Sequence, residues 1–181
     1  MGLFGVTSCG NSDDDITAFQ EKKILPQLIS TQIVIEYSDS ARLKARVKAP
    51  LLEEFGPPEN LTVMRKGVDV FFYDPRGKVT STMHADSALM HRNSDLMEAY
   101  NNVKVTNENG EQLETHRLFW RNAQNQADRE LYSDAFVKIK KGDEILYGEG
   151  LTANESFSRY KIMKPQGSFY LEDEPDTTKT P

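Results

Sequence analysis

Arg42-Leu43-Lys44-Ala45-Arg46-Val47-Lys48-Ala49 alternates polar and apolar side chains without a break. Successive side chains on an extended backbone point to opposite faces. Leu43, Ala45, Val47 and Ala49 therefore share one face, and four basic residues share the other. This is the pattern of an antiparallel strand with one buried side. Working outward from it, further strand-like runs follow at Gln32 to Tyr37, Val68 to Tyr73, Val79 to Ala85, Leu96 to Val105 and Leu113 to Trp120. Glu130 to Ser133, Phe136 to Ile139, Ile145 to Tyr147 and Ser158 to Met163 continue the series. From Ile33 onward no stretch carries helical periodicity over ten residues, so the body reads as all-β.

The turns between these runs recur. Asp39, Asp74, Asn109 and Asp143 mark four hairpin tips spaced 35, 35 and 34 residues apart. Pro75-Arg76-Gly77 and Asn109-Gly110 supply the fixed or positive φ that tight turns require. Regular spacing of this kind predicts stacked hairpins that contribute to two facing sheets. Met83 to Ala88 and Leu151 to Ser156 resemble one another and each follows a returning strand.

The chain has 181 residues, which suits one domain with tails and allows a core without staples. Net charge is −6. A nucleic-acid binder needs a basic face to neutralise phosphates, and the longest charge run here is the acidic Asp13-Asp14-Asp15. Nucleic acid is thus excluded as a partner class. Gly148-Glu149-Gly150-Leu151-Thr152-Ala153 matches a dinucleotide fingerprint in spelling only, because no helix follows to receive a pyrophosphate. Its glycines read as a strand bend or bulge. His84, His91 and His116 have no metal-ligand spacing, and no nucleophile elbow or phosphate loop occurs. Enzyme, cofactor and metal are not expected.

The order of segments carries a resemblance. V-I-E-Y-S-D-S and V-F-F-Y-D-P-R-G-K-V are followed by T-M-H-A-D-S-A and N-N-V-K-V-T-N-E-N-G-E-Q-L-E-T-H-R-L-F-W, then L-Y-S-D-A-F-V-K-I and G-E-G-L-T-A. Over roughly Thr31 to Gly167 this resembles the LptC family, the periplasmic component of the lipopolysaccharide export ABC transporter system, in its Bacteroidetes-type form. The resemblance implies an antiparallel twisted β-jellyroll, open along one seam and anchored at the inner membrane. It also implies that lipopolysaccharide arrives from the inner-membrane export ABC transporter complex and leaves for the next periplasmic bridge jellyroll.

Val6-Thr7-Ser8 before Cys9, the only cysteine, resembles the lipobox of a bacterial lipoprotein, in which that thiol carries diacylglycerol. Eight residues without Lys or Arg precede it, which is short for a signal peptide; an ordinary thiol is the alternative. The expected organisation is a residual signal segment at 1–8, a lipid-anchored tether at 9–30, the jellyroll at 31–170, and a disordered acidic and Thr/Pro tail at 171–181. Within the tether, Ile16, Phe19, Ile24 and Leu28 recur at near-helical spacing, broken by Pro26; a solvated linker is the alternative.

Given the resemblance, alternation assigns lipid-groove candidates. Val68, Val70 and Phe72 oppose Asp69, Phe71 and Tyr73, and Asp69 marks the outer face. Leu118 and Trp120 are set against Leu113, Thr115, Arg117 and Phe119. The candidate set is Val70, Phe72, Leu118, Trp120, Val137, Ile139, Ile145 and Tyr147; a dry sandwich core would use the same residues. Docking edges are expected at Gln32 to Tyr37 for the transporter and at Ser158 to Met163 for the next bridge protein. A second reading, a surface or periplasmic lipoprotein acting as a structural or adhesive module, is compatible with the acidic run after Cys9.

Overall fold

The computed structural model describes residues 24–91, 94, 96–122 and 130–166. Cys9, Ile16, Phe19 and the 171–181 tail lie outside the described residues. Ile24 to Pro26 is irregular and exposed or half-exposed, and strand pairing begins at Leu28. The near-helical spacing that includes Ile24 and Leu28 is therefore not helix in this stretch.

Among the described residues twelve strands form one antiparallel sheet. They are β1 (Leu28–Asp39), β2 (Arg42–Phe55), β3 (Leu61–Arg65), β4 (Val68–Tyr73), β5 (Val79–Ala85) and β6 (Ser87–His91). β7 (Leu96–Asn107), β8 (Gln112–Arg121), β9 (Glu130–Lys141), β10 (Glu144–Ala153), β11 (Tyr160–Ile162) and β12 (Pro165–Gln166) complete it. β2 pairs with β1 along nearly its whole length, so β3 and β4 share its other edge. They are two halves of one bent strand, as are β5 and β6, which pair with them and then with β7. β7 to β10 follow as a meander. The fold is the all-β jellyroll class, built by folding one continuous sheet rather than from two separate ones.

The bends line up across the strands. Lys66 and Gly67 have φ of 67° and 97°, Asn101 and Asn102 of 61° and 49°, and Gly150 of 90°. Register shifts fall beside them in β7, β8 and β10. Backbone bonds stitch the line together, from Gly67 N to Asp86 O (2.9 Å) and from Asp86 N to Asn101 O (3.0 Å). A bulge bends a strand and increases its twist, so a row of them creases the sheet. The two halves then face each other. Trp120, beyond the crease on β8, packs edge-to-face on Phe72 (5.1 Å) and Tyr37 (5.3 Å) from before it.

The bulges also reset the alternation. Leu113 is buried, and so are Leu118 and Trp120. An unbroken strand would place them on opposite faces, as the sequence reading did; the register shift between Thr115 and Phe119 brings them to one side. β9 is a single strand where two pieces were expected, and β3 and β6 were not anticipated. The two similar segments diverge as well. After Asp86 the strand resumes as β6, whereas after Ala153 the chain leaves the sheet as the loop Asn154 to Arg159.

Glycine is required in two places on β10. A Cβ at Gly148 would lie 2.3 Å from Ile162 Cγ2 and 2.7 Å from Met163 O, so the β11–β12 segment crosses directly over it. Gly150 has the positive φ that forms the bulge. Among the described residues β1 pairs only with β2, and β11 and β12 only with β10, so the sheet keeps two free ends and its seam stays open.

Candidate functional site

Six of the eight candidate interior residues converge. Val70, Phe72, Leu118, Trp120, Val137 and Ile139 are each no more than 2% exposed and belong to one apolar cluster. They come from β4, β8 and β9, and their partners include Ala45 and Val47 from β2. Val68 joins them, and Asp69 on the opposite face is exposed.

Ile145 and Tyr147 do not belong there. Leu146 pairs with Ile139 and Gly148 with Val137, so Leu146 and Gly148 take the inner face of β10. Ile145 lies opposite Lys140 and is 44% exposed; Tyr147 lies opposite Lys138 and stacks on exposed Phe136 at 5.9 Å. Three consecutive apolar residues followed by glycine offered no alternation to choose the face.

The outer face is polar and aromatic in alternation. Arg46 lies over Tyr73 (5.8 Å) and Lys48 over Phe71 (5.2 Å), while Arg117 and Arg121 cover the stacked pair Phe119 and Tyr132. Ion pairs such as Arg46–Glu36 (2.7 Å) and Arg117–Asp134 neutralise much of the charge. His84 is exposed and bonds Asp69 through Nδ1 (2.7 Å); His91 and His116 are exposed too. No group of three or more His, Cys, Asp or Glu side chains suited to a metal ion occurs among the described residues.

One part of the interior was invisible to strand reasoning. The loop Asn154 to Arg159 folds over the end of the sandwich and buries Phe157 completely. Its anchors come from three strands. Ser81 Oγ donates to Glu155 O (2.6 Å), Trp120 Nε1 to Glu155 Oε1 (2.9 Å), and Asn107 Nδ2 to Phe157 O (2.9 Å). Asn107 also donates to Glu111 Oε2 (2.7 Å) and accepts from the backbone N–H of Asn109 and Glu111, which ties the loop to the β7–β8 turn. The loop braces itself through Asn154, whose side chain bonds Ser156 and Ser158 and accepts from the N–H of Ser158 and Arg159. Repeated Asn and Ser were the only sequence signal of this motif.

Beside the loop a crevice of about 470 Å³ runs between Lys44, Tyr73, Thr80 and Arg159 and reaches Phe72. Two further depressions, of about 650 and 520 Å³, follow the crease on the outer face, against β9–β10 and β7–β9. At the inner margin Tyr37 O–H points to Met90 Sδ (3.1 Å), and burial raises its phenol above the ordinary tyrosine range.

A family model described as "Lipopolysaccharide-assembly, LptC-related" matches residues 2–164. No curated protein matches the chain.

Proposed function

This chain belongs to the LptC-related lipopolysaccharide-assembly family, and from that premise we propose that it accepts lipopolysaccharide from the inner-membrane export transporter and passes it through its apolar interior to the next jellyroll of a periplasmic bridge. Family membership ties the chain to lipopolysaccharide transport. The observation that supports a path through the interior is the set Val70, Phe72, Leu118, Trp120, Val137 and Ile139, which makes one apolar cluster spanning both sides of the crease. Each methylene moved from water into such a cluster gains about 0.8 kcal/mol. A carrier must therefore expose its interior only during transfer, or release becomes slow.

In this reading the protein is periplasmic and held at the inner membrane, with Cys9 as the lipid attachment site. The edges of β1 and of the β11–β12 segment, unpaired among the described residues, are the places where neighbouring jellyrolls would add strands, with backbone hydrogen bonds supplying affinity. Replacing Cys9 with alanine should move the protein from the inner-membrane fraction to the soluble fraction.

The second reading is a structural or adhesive lipoprotein. Complete burial of Val70, Val137 and Ile139 favours it, because an adhesive module needs only a closed core. Photo-crosslinking in cells separates the two. A probe at Phe72 or Ile139 should yield a lipopolysaccharide adduct, while probes at Asp69 and Tyr147 on the outer face should not. Folded protein without adduct at either inner site removes the carrier reading, and cleavage by protease on intact cells would establish the surface module.

A further inference from the structure

Phe157 is fully buried at the end of the interior, yet it is supplied by a loop rather than a strand. Its φ of 50° lies in the left-handed region, which a bulky side chain occupies only when its surroundings hold it there. Those surroundings are the Tyr160 ring stacked on it at 5.0 Å, the apolar core it joins, and three donors, on Ser81, Trp120 and Asn107, all of which end on oxygens of the loop. Two of these oxygens are backbone carbonyls and the third is a carboxylate. Asn154 braces the loop from within, and the crevice beside it, lined mostly by polar side chains, reaches Phe72.

We infer that this crevice is the portal for one acyl chain, and that Asn154 to Arg159 is a displaceable plug whose Phe157 ring holds the chain's place. The inference rests on the carrier reading and adds to it the point of access and the ligand's chemistry. When the loop swings out, the apolar site of the Phe157 ring falls vacant. Ser81 Oγ, Trp120 Nε1 and Asn107 Nδ2 are left as convergent donors at its mouth. An acyl chain ending in an ester or amide carbonyl fits both parts: the chain fills the site of the ring, and its carbonyl accepts from donors that served the loop. A free hydrocarbon would satisfy the first and leave the donors unpaired, which is costly at a buried margin. The ligand class is therefore an O- or N-acylated amphiphile.

Trp120 is the only tryptophan in the chain, so its fluorescence reads this site directly. The probe is an N-acyl sugar detergent with a brominated tail, used below its micelle concentration against the full chain, because bromine quenches tryptophan on contact. Phe157→Ala removes the competing ring and should lower the half-quenching concentration roughly tenfold, equivalent to about 1.4 kcal/mol. Glu155→Ala loosens the latch but keeps the ring, and should lower it by a smaller factor. It also serves if Phe157→Ala melts too early to use. An alkane of equal length, likewise brominated, should quench less than the N-acyl detergent in every variant. Equal half-quenching concentrations in the wild type and the folded variants would overturn the portal, as would absence of quenching in all of them. The Phe72 crosslink then decides the wider reading independently: an adduct without plug dependence leaves the carrier and removes only this portal.

Discussion

Trp120→Ala asks most directly whether the interior is packed or open. The ring is 2% exposed and meets Tyr37 and Phe72 edge-to-face at interplanar angles of 83° and 88°. Truncating a packed tryptophan costs about 3–5 kcal/mol, including the cavity left behind. Edge-to-face pairs add about 0.5–1.5 kcal/mol each, and a hydrogen bond to a carboxylate about 1.5–3 kcal/mol. These overlap, since one substitution removes them together and the loop can relax, so the expected loss is about 4–5 kcal/mol rather than their sum. Trp120→Phe keeps most of the ring contacts and loses the Nε1–Glu155 bond (2.9 Å), for about 2 kcal/mol. Against a total of about 5–15 kcal/mol, both variants should fold. Urea unfolding followed by far-ultraviolet circular dichroism measures the difference, with an unchanged slope as the check that the unfolded state is the same. A loss below about 1.5 kcal/mol for the alanine variant would refute the packing argument, because it would mean that water already surrounds the ring.

Ile139→Ala should cost about 2–5 kcal/mol, whereas Ile145→Ser should stay within about 0.5 kcal/mol of wild type; equal losses in thermal melts would contradict the β10 register that sends Ile145 outward. Asp74 gives a pH prediction. Its carboxylate accepts the backbone N–H of Lys78 (2.9 Å) and Arg76 (2.8 Å), and chiefly the Lys78 bond holds its pKa below the ordinary aspartate value. A depressed pKa means that the contribution to the turn is complete above the unfolded value and is lost as pH falls through the folded one. Protection of the Lys78 amide, taken relative to its intrinsic exchange rate, should therefore fall in acid, and Asp74→Asn should remove that dependence; identical pH profiles of protection for the two proteins would count against it.

Much of the fold was legible because alternation and turn chemistry are local. Arg42 to Ala49 announced a half-buried strand, and Ala45, Val47 and Ala49 are indeed buried beside exposed or half-exposed basic neighbours. The four markers at 35-residue spacing correspond to the tips of the β1–β2, β4–β5, β7–β8 and β9–β10 hairpins, one for every up-and-back pass of the sheet. What local patterns could not convey was any change of phase along a strand. His116 and Arg117 look like ordinary strand residues, yet the bulge around them moves Leu113 to the side of Leu118. Ile145-Leu146-Tyr147 presents no alternation, and only the pairing with β9 decides it. Phe157 was missed for a different reason: its burial depends on donors 76, 50 and 37 residues away in sequence, at Ser81, Asn107 and Trp120.

These misses share a physical origin that bears on function. A strictly alternating sheet of long strands would twist smoothly and leave one broad apolar face wet. Here interruptions fall at a similar depth between β3 and β4, between β5 and β6, and within β7, β8 and β10, at Gly67, Asp86, Asn101, Arg117 and Gly150, so the face folds onto itself. The elements that spoil the sequence pattern are thus the ones that create an interior. Among the described residues they also leave the sheet with two unpaired ends, and one mouth is closed by a loop instead of by strands. Strand ladders distribute their bonds along many residues and open only at high cost. The Asn154 to Arg159 loop is held by three side-chain donors and by the stack of Phe157 on Tyr160, fewer bonds than a strand ladder distributes. The portal proposed at Asn154 to Arg159 uses that weaker closure.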